Sequence, residues 1–259
     1  MRLTRCFVPD ALAADSTRVL PEASSGHIAR VLRLRAGDPL VLFDGRGGEY
    51  EAQIEAVERR GVRVRIGAHR PIERESPIAV TLLQCLVRTE RMDLIVQKAT
   101  ELGVAAIVPV QSRHSVVRLE EGARERRRQH WLGVATAACE QCGRNRLPEL
   151  RAALPFEAAC ALACPAEREP ARLVLEPAGE QPLATALARL GAPSAVSLLV
   201  GPEGGLSADE LAIAQAHGFR TCTLGPRVLR TETAPLAALA TVQALLGDFA
   251  ARDAAMNCT

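Results

Sequence analysis

The sequence predicts an α/β protein in which a parallel sheet flanked by helices follows a small β-barrel. In the first part of the chain, apolar and polar residues alternate in short, closely spaced segments, which is typical of half-buried strands in a barrel. After the polar, proline-bounded segment 69–77, strand-like and helix-like segments follow one another in turn, which is typical of a parallel sheet. We therefore expect two domains, of residues 1–72 and 73–259.

Two segments of the first domain, 49–57 and 61–66, show the alternation of half-buried strands. The residues expected on their buried faces are Tyr50, Ala52, Ile54, Ala56, Val62, Val64 and Ile66. The glycine-containing segment 43–50 connects strand-like runs and predicts a hairpin loop. A short helix is expected near residues 25–38.

The second domain is expected to alternate between strands and helices. Short apolar segments predict strands at 78–87, 104–112, 171–177, 195–201 and 219–224. Longer segments predict helices at 88–103, 120–143, 207–218 and 231–249. Ser207 and Glu210 have the spacing of a capping box, and Gly103 and Gly218 are placed to end their helices.

The composition is typical of a soluble globular protein, with 48% apolar and 24% charged residues. No stretch approaches the roughly 18–20 uninterrupted apolar residues of a membrane span, and residues 1–10 lack the apolar core of a signal peptide. We therefore expect a cytoplasmic protein with no membrane partner. In segment 1–74, 13 arginines face 10 acidic residues, which gives slight support to an anionic partner for the first domain.

The eight cysteines raise the alternative of a zinc site. Two residues separate Cys139 from Cys142, and three separate Cys160 from Cys164, a spacing close to that of a zinc ribbon. Both pairs lie in segments that predict helices, whereas a zinc knuckle uses a turn. Free cysteine is a common small core residue in a reducing compartment, so we expect no metal.

Three predicted strands end in short loops with glycine or proline, which we call the first (173–179), second (198–205) and third (223–235) loop. Ligands of open α/β sheets bind beyond the carboxyl ends of the strands, so these loops are candidates for one pocket. They lack the phosphate-binding patterns of P-loop and dinucleotide-binding proteins, and Glu203 stands where a phosphate site needs a cation. They therefore predict an uncharged or cationic ligand.

Segments 198–210 (LLVGPEGGLSADE) and 224–239 (LGPRVLRTETAPLAAL) resemble the two hallmark motifs of the RsmE family of ribosomal RNA uridine-N3 methyltransferases, in the SPOUT superfamily. Segments 97–104 and 138–150 are similar to the same family, and the barrel-like start is similar to its PUA-like domain. The resemblance implies a C-terminal trefoil-knotted parallel-sheet domain and a homodimer. It further implies S-adenosyl-L-methionine as the cofactor and a uridine of 16S rRNA, within the small ribosomal subunit, as the substrate.

The resemblance also implies which residues surround the cofactor. Glycines of the second loop allow close approach of the backbone, and apolar residues of the third loop are expected to pack against adenine. The cofactor-binding candidates are Leu175, Glu176, Gly201, Pro202, Glu203, Gly204, Gly205, Leu224, Gly225, Val228, Leu229, Arg230, Thr233 and Ala234.

Methylation of uracil N3 requires the loss of a weakly acidic N–H proton, which defines two catalytic roles. Arg230 is the candidate for stabilising negative charge on a uracil carbonyl. Glu232 is either a general base or a carboxylate that the helix dipole stabilises at a helix N-terminus. Glu203 either faces the positive end of the cofactor or caps the following helix, and Thr231 or Thr233 is expected to cap the last helix.

Arginines are expected to hold the RNA through its phosphates, which position it rather than specify its sequence. Aromatic residues make up only 3% of the chain, so recognition should depend little on base stacking. The RNA-binding candidates are Arg30, Arg33, Arg35, Gln141, Arg144, Asn145 and Arg146. The dense basic cluster 124–128 is equally compatible with a solvated helix face.

Two other functions are compatible with these motifs. One is a non-catalytic RNA-binding protein of ribosome assembly, but that function predicts degraded cofactor loops, and the three loops are intact. The other is a SPOUT methyltransferase that acts on another rRNA or tRNA base, because the loops describe the cofactor more than the substrate.

Overall fold

The computed structural model describes residues 3–118, 120–162, 171–191 and 193–249, which form two compact units. The first unit contains the described residues up to Glu75 together with Thr136–Leu147, and the second contains the others. A segment from the middle of the chain therefore belongs to the first unit, and no single cut in the sequence reproduces this division. The domains 1–72 and 73–259 remain a prediction.

The described part of the first unit contains five strands and a short helix. These are β1 (Thr4–Phe7), β2 (Ser16–Val19), α1 (Glu22–Gly26), β3 (Pro39–Phe43), β4 (Glu49–Glu58) and β5 (Gly61–Arg70). The sheet has the order β1-β3-β4-β5-β2, in which β1 and β3 are parallel and the other neighbours are antiparallel. A π-helical turn, His27–Val31, continues α1, and the Leu32 N–H donates to the carbonyl of His27.

Burial confirms the alternation that the sequence predicts in this unit. Ile54 on β4 and Val62, Val64 and Ile66 on β5 are almost fully buried, while the polar residues between them are exposed. Their side chains belong to one apolar cluster of this unit. Segment 44–48 joins the antiparallel strands β3 and β4, as the predicted hairpin loop requires.

In the second unit, the described residues form eight parallel strands and six helices. The strands are β6 (Ala79–Cys85), β7 (Ala106–Gln111), β8 (Glu149–Leu150), β9 (Leu154–Pro155), β10 (Ala171–Leu175), β11 (Gln181–Pro182), β12 (Ala195–Val200) and β13 (Arg220–Thr223). The helices are α2 (Thr89–Glu101), α3 (Glu121–Cys142), α4 (Phe156–Ala161), α5 (Leu183–Ala188), α6 (Ala208–Ala216) and α7 (Thr233–Leu246), of which α3 ends in the first unit. The sheet order is β11-β13-β10-β12-β6-β7-β8, with β9 also paired to β7. Every pair is parallel, which confirms the predicted sheet type.

Apolar cores lie on both faces of this sheet. Leu82 belongs to one core together with Ile95 of α2 and Leu239 of α7. The next residue, Leu83, belongs to another core together with Ala214 of α6. Successive side chains of a strand point to opposite faces, so helices cover the central strands on both sides. None of the described helices combines the length and apolar character that a membrane crossing requires.

Three helix boundaries follow the sequence signals. α2 ends before Gly103, whose φ of +78° suits a glycine that terminates a helix. At the start of α6, the Ser207 side chain accepts a hydrogen bond from the Glu210 N–H, and the Glu210 carboxylate accepts one from the Ser207 N–H. Gly218, with a φ of +82°, follows the end of the same helix. The predicted capping box and glycine C-caps are therefore confirmed.

The short elements of the second unit are not predicted by the sequence. Strands β8, β9 and β11 contain two residues each, too few to show any periodicity. Helix α5 has six residues and no side-chain cap hydrogen bond among the described residues, so no start signal marks it in the sequence.

The cysteine pairs that suggested zinc lie on helices, Cys139 and Cys142 on α3 and Cys160 on α4, while Cys164 lies outside the described residues. Burial raises the pKa of Cys139 to about 12 and the pKa of Cys160 to about 11. Burial thus favours the uncharged thiol at both positions. In the described ranges, no three His, Cys, Asp or Glu side chains are grouped as metal ligands.

Alanine substitution of two glycines that have opposite surroundings tests the packing of the second unit. A Cβ on Gly179 would lie 2.7 Å from the backbone of Cys222, whereas a Cβ on Gly133, in α3, would meet no atom within 4 Å. We expect Gly179→Ala to lower the free energy of unfolding by about 1–3 kcal/mol through overpacking. Gly133→Ala should raise it by about 0.8 kcal/mol through helix propensity. Urea unfolding measures both, and effects of the same sign would contradict the packing.

Candidate active site

The three loops meet at one edge of the parallel sheet. They follow β10, β12 and β13, which are neighbours in the order β13-β10-β12, so the carboxyl ends of these strands lie side by side. A cavity of about 380 Å³ lies among the loops, a volume within the range of small-molecule sites. The loops thus converge on one cavity, as the sequence predicts.

Most of the candidate cofactor-binding residues line this cavity. They are Leu175, Glu176, Gly201, Pro202, Glu203, Gly205, Leu224, Gly225, Val228, Leu229, Arg230 and Ala234. Two candidates, Gly204 and Thr233, are not part of the lining. Gly204 faces His114 instead, since a Cβ there would lie 3.0 Å from the Cβ of His114, and Thr233 is exposed at the first position of α7. A cofactor-binding role of the lining residues stays a prediction.

Seven described residues that the sequence does not predict also line the cavity. They are Arg91, Pro177, Val200, Leu206, Cys222, Arg227 and Thr231. Six of them are close in sequence to predicted residues, and widening each motif by a few positions would have included them. Arg91 belongs to α2, far from the three loops in sequence, and no local pattern marks it.

The apolar surface of the cavity is unevenly shielded. Leu175 and Val200, at the ends of their strands, are 9% and 3% exposed, whereas Val228 in the third loop is 79% exposed. An apolar ring in the cavity would therefore be shielded from water chiefly by the strand-end residues. Val228, which we expect beside adenine, offers little shielding by itself.

Two glycines give the loops conformations that other residues rarely adopt. Gly205 has a φ of +71° and Gly225 a φ of +90°. A Cβ at either position would meet no protein atom within 4 Å. The Gly205 N–H donates to the carbonyl of Pro202 at 3.0 Å and closes a tight turn. The backbone is therefore open to a ligand at both glycines.

Hydrogen bonds connect the loops to one another and to the sheet. Thr231 Oγ1, in the third loop, donates to the carbonyl oxygen of Gly201, in the second loop, at 2.9 Å. The N–H of Glu176, in the first loop, donates to the carbonyl of Cys222 on β13, also at 2.9 Å. Thr231 is buried, so water competes little for its hydroxyl. The three loops are held as one group.

The start of α7 differs from the prediction. A cap by Thr231 or Thr233 is wrong, because Glu232 occupies the N-cap position and no described side chain makes a cap hydrogen bond there. The Thr231 hydroxyl is used on the second loop instead. The first turn of α7 is closed through the backbone, with the Ala234 N–H donating to the carbonyl of Arg230 at 3.0 Å.

Arg91 pairs with two carboxylates beside the cavity. Its Nη1 lies 3.0 Å from Oε1 of Glu203, and its Nε lies 3.7 Å from Oε2 of Glu232. Ser207 and Glu210 form the cap of α6, so the alternative in which Glu203 caps this helix is wrong. Oε2 of Glu232 is buried and has no hydrogen-bond partner among the described residues. Glu232 itself is not part of the cavity lining, and its role as a general base stays a prediction.

Five of the RNA-binding candidates are exposed in the first unit. Arg30 and Arg33 lie in and after the π-helical turn, and Arg35 follows them. Gln141, near the end of α3, and Arg146 are exposed as well. Exposure permits RNA contact, which stays a prediction for these five residues.

Burial contradicts the predicted direct contact of Arg144 and Asn145 with RNA, because the two residues are only 4% and 0% exposed. Nη2 of Arg144 lies 2.5 Å from Oε2 of Glu75. Nδ2 of Asn145 donates to the carbonyl of Ile72 at 2.6 Å, and its Oδ1 accepts a hydrogen bond from Arg5. Both side chains are therefore used inside the protein, where they attach the segment after α3 to the rest of the first unit.

Glu49 is the centre of this buried network. Its Oε2 accepts hydrogen bonds from Nη1 of Arg5 at 2.5 Å, from Arg74 at 3.2 Å and from Nδ2 of Asn145 at 3.3 Å. Burial alone would raise the pKa of Glu49, but the hydrogen bonds from Arg5, Arg74 and Asn145 together outweigh it and hold the pKa below its ordinary value. The network thus favours the ionised carboxylate.

Two family models match this chain. The model of an RNA methyltransferase domain matches residues 74–243, and the model of an RNA methyltransferase PUA domain matches residues 20–67. The first match contains all three loops of the cavity, and the second lies within the first unit.

The chain is also similar to individual proteins. It is 32% identical to the Ribosomal RNA small subunit methyltransferase E of Bacillus subtilis over 220 residues, which cover 83% of this chain and 85% of that protein. It is similar to the structure of a Ribosomal RNA small subunit methyltransferase E from Neisseria gonorrhoeae bound to S-adenosyl methionine, with 35% identity and a TM-score of 0.85 over 96% of this chain and 100% of that one. A methyltransferase of Legionella pneumophila in complex with the same cofactor has 36% identity and a TM-score of 0.87 over the same shares.

The buried network can be tested by removing the charge at its centre. We expect Glu49→Gln to lower the free energy of unfolding by about 3 kcal/mol at neutral pH, because Arg5 then stays buried without its counter-charge. Glu55→Gln, at an exposed position of the same strand, is the matched control and should change it by less than about 0.5 kcal/mol. Urea unfolding measures both variants, and equal effects would show that the network does not stabilise this unit.

The lowered pKa of Glu49 also predicts a pH dependence. Its carboxyl binds a proton less readily in the folded chain, so its contribution to stability is present above the unfolded pKa of about 4.5 and is lost as pH falls through the lower folded pKa. The wild type should therefore lose more unfolding free energy than Glu49→Gln when the pH falls from about 5 to about 3. Parallel stability curves for the two proteins would contradict this expectation.

Proposed function

We propose that this chain transfers the methyl group of S-adenosyl-L-methionine to N3 of a uridine in 16S rRNA, because it belongs to the Ribosomal RNA small subunit methyltransferase E family of RNA methyltransferases. The observation that carries the proposal is the convergence of three loops on one cavity at the carboxyl ends of β10, β12 and β13. Two of these loops contain the motifs that resemble the family in sequence, and the family membership confirms that resemblance.

The cavity fits S-adenosyl-L-methionine in size and in chemistry. Its volume of about 380 Å³ suits one small molecule. Buried Leu175 and Val200 offer apolar surface to a purine, and the open backbone at Gly205 and Gly225 offers peptide groups to polar edges. The similar proteins of Neisseria gonorrhoeae and Legionella pneumophila carry this cofactor in their structures.

Arg230 and Glu232 are proposed to act on the uracil. When bound, S-adenosyl-L-methionine would supply a methyl group carried on a positively charged sulfur. The uracil N3 would attack the methyl carbon in line and displace the sulfur. Removal of the N3 proton leaves negative charge on the uracil carbonyl oxygens. Arg230, an exposed residue of the cavity lining, would stabilise that charge. Glu232, whose buried Oε2 has no hydrogen-bond partner among the described residues, would accept the proton.

The first domain, residues 1–72, is proposed to bind the RNA. The model of an RNA methyltransferase PUA domain matches residues 20–67, which contain β3, β4 and most of β5. Arg30, Arg33 and Arg35 lie in the same range and are exposed. Arg146 and Gln141 extend the exposed polar surface of the first unit. Such residues would position the RNA through its phosphates, while residues 73–259 would carry the methyl transfer.

The remaining features of the proposal rest on the family alone. They are a homodimer, a trefoil knot in the methyltransferase domain and a substrate within the small ribosomal subunit, whereas the cytoplasmic location rests on the sequence. A cytoplasmic enzyme would meet both 16S rRNA and its cofactor.

Mapping of modified bases in 16S rRNA tests the proposed reaction. Deletion of the gene should remove one N3-methyluridine from the rRNA, detected by mass spectrometry, and the wild-type gene should restore it.

Arg230→Ala should lower methyl transfer by the purified protein about 100-fold, as expected for the loss of a charge-stabilising group. Glu232→Gln should lower it by about 100-fold or more, as expected for the loss of a general base.

Arg113→Gln is the matched control for these variants. Arg113 is an exposed arginine of the same unit, outside the cavity lining, and pairs with Asp209 at 3.5 Å. Its variant should keep wild-type activity. An unchanged set of rRNA modifications in the deletion strain would remove the proposal, and loss of a modification at another base or in tRNA would assign the enzyme a different substrate.

A further inference from the structure

Arg91 lies within 4 Å of Glu203, a carboxylate of the cavity lining, and of Glu232, a carboxylate that is not part of the lining. Glu203 belongs to the second loop, and Glu232 to the third. Arg227 and Arg230 also line the cavity, but no described carboxylate lies within 4 Å of either guanidinium. One cation from α2 therefore balances two anions from two loops.

The backbone that carries Arg91 is firmly anchored. Arg91 is in the first turn of α2, and the next residue, Met92, is fully buried, as are Ile95 and Val96 one turn further. The guanidinium is thus presented from a helix that the apolar core holds in place. Its own side chain is 29% exposed, and those of Glu203 and Glu232 are 24% and 19% exposed. At this depth a charge pair is screened less than on an open surface.

Arg91 and Thr231 together connect the second and third loops. The hydrogen bond from Thr231 to the Gly201 carbonyl joins the loops directly. The guanidinium joins them a second time through Glu203 and Glu232. Two connections fix the separation of the loops more completely than one connection, which leaves them free to rotate about it.

We propose that Arg91 is a positioning residue that holds the second and third loops at the separation the donor requires, by neutralising Glu203 and Glu232. Without this cation, two carboxylates that share one partner repel each other, and the loops move apart. Arg91 acts on the cavity through these two residues rather than by a contact with the reacting atoms. The identity of the ligand, S-adenosyl-L-methionine, rests on the proposed function.

The test compares Arg91→Gln with the double variant Arg91→Gln/Glu203→Gln. Loss of the cation alone should raise the Kd for S-adenosyl-L-methionine, measured by titration calorimetry, about 10-fold. Glu203→Gln alone is the reference for the double variant, whose Kd should exceed that reference by less than about threefold because one of the two repelling charges is already absent. Arg91→Lys keeps the charge without the fork of donors and should lie between wild type and Arg91→Gln. Arg113→Gln, the loss of an exposed arginine elsewhere in the same unit, should bind like wild type.

The thermal unfolding midpoint gives a second measurement that needs neither ligand nor activity. The midpoint should fall by a few degrees in Arg91→Gln and recover in the double variant, because the two changes are coupled. A double variant whose Kd exceeds that of Glu203→Gln by the full factor of about 10, or midpoints that are simply additive, would overturn the proposal and leave Arg91 as a direct ligand contact or a packing residue.

These outcomes separate the positioning role from the enzyme's reaction. If the wild type binds S-adenosyl-L-methionine but methylates no rRNA, the proposed function fails, while a smaller effect of Arg91→Gln on the Kd in the Glu203→Gln background still supports the role of Arg91. If the wild type binds no S-adenosyl-L-methionine, the midpoints alone decide, and additivity there overturns the positioning role.

Discussion

The parallel pairing of β10 with β12 and β13 is the constraint on which the cavity depends. In this register Leu175 lies opposite Val200 on one side and Cys222 on the other, and all three residues line the cavity. The three loops therefore begin at the same level of the sheet. Because successive side chains alternate between faces, a shift of one strand by a single residue would turn its end residue away from the cavity. The sheet thus decides where the cavity lies, and the loops decide what it contacts.

Polar interactions complete what the sheet begins, in both units. In the second unit, the Thr231 hydroxyl and the Arg91 guanidinium connect segments 201–205 and 225–233, which lie outside the apolar core clusters. In the first unit, Glu49 and its partners attach a segment that is distant in sequence. Apolar contacts are non-directional, whereas hydrogen bonds and ion pairs require particular geometry. Segments whose position must be well defined are therefore held by buried polar groups.

The sequence predicts the parts of this protein that depend on local pattern. The alternation on β5, the capping box of α6 and the glycine after α2 each follow from a few neighbouring residues, and all are confirmed. The convergence of the loops also follows, because parallel strands that are adjacent in a sheet end at the same edge. The two-residue strands have no pattern to detect, and no local pattern shows that residues 136–147 belong to the first compact unit.

Long-range partners explain the remaining differences at the candidate site. Arg144 and Asn145 stand in a basic, polar segment that looks like an RNA contact, and only the folded chain brings Glu75 and Ile72 to them. Arg91 reaches the cavity from a helix whose local sequence indicates no ligand. Thr231 has the expected type and position for a helix cap, yet the nearby Gly201 carbonyl takes its hydroxyl. In each case a residue distant in sequence decides the role of the side chain.

The discontinuous make-up of the first unit limits how this architecture can be divided or recombined. A recombinant fragment that stops at residue 75 would contain the whole five-stranded sheet but would lack Arg144 and Asn145, leaving Nη2 of Arg5 without the two acceptors that these residues provide. A gene fusion that exchanges the N-terminal unit with that of another protein would have to carry residues 136–147 along with it. Modular exchange by a single crossover is therefore disfavoured, and the two units are expected to be inherited together.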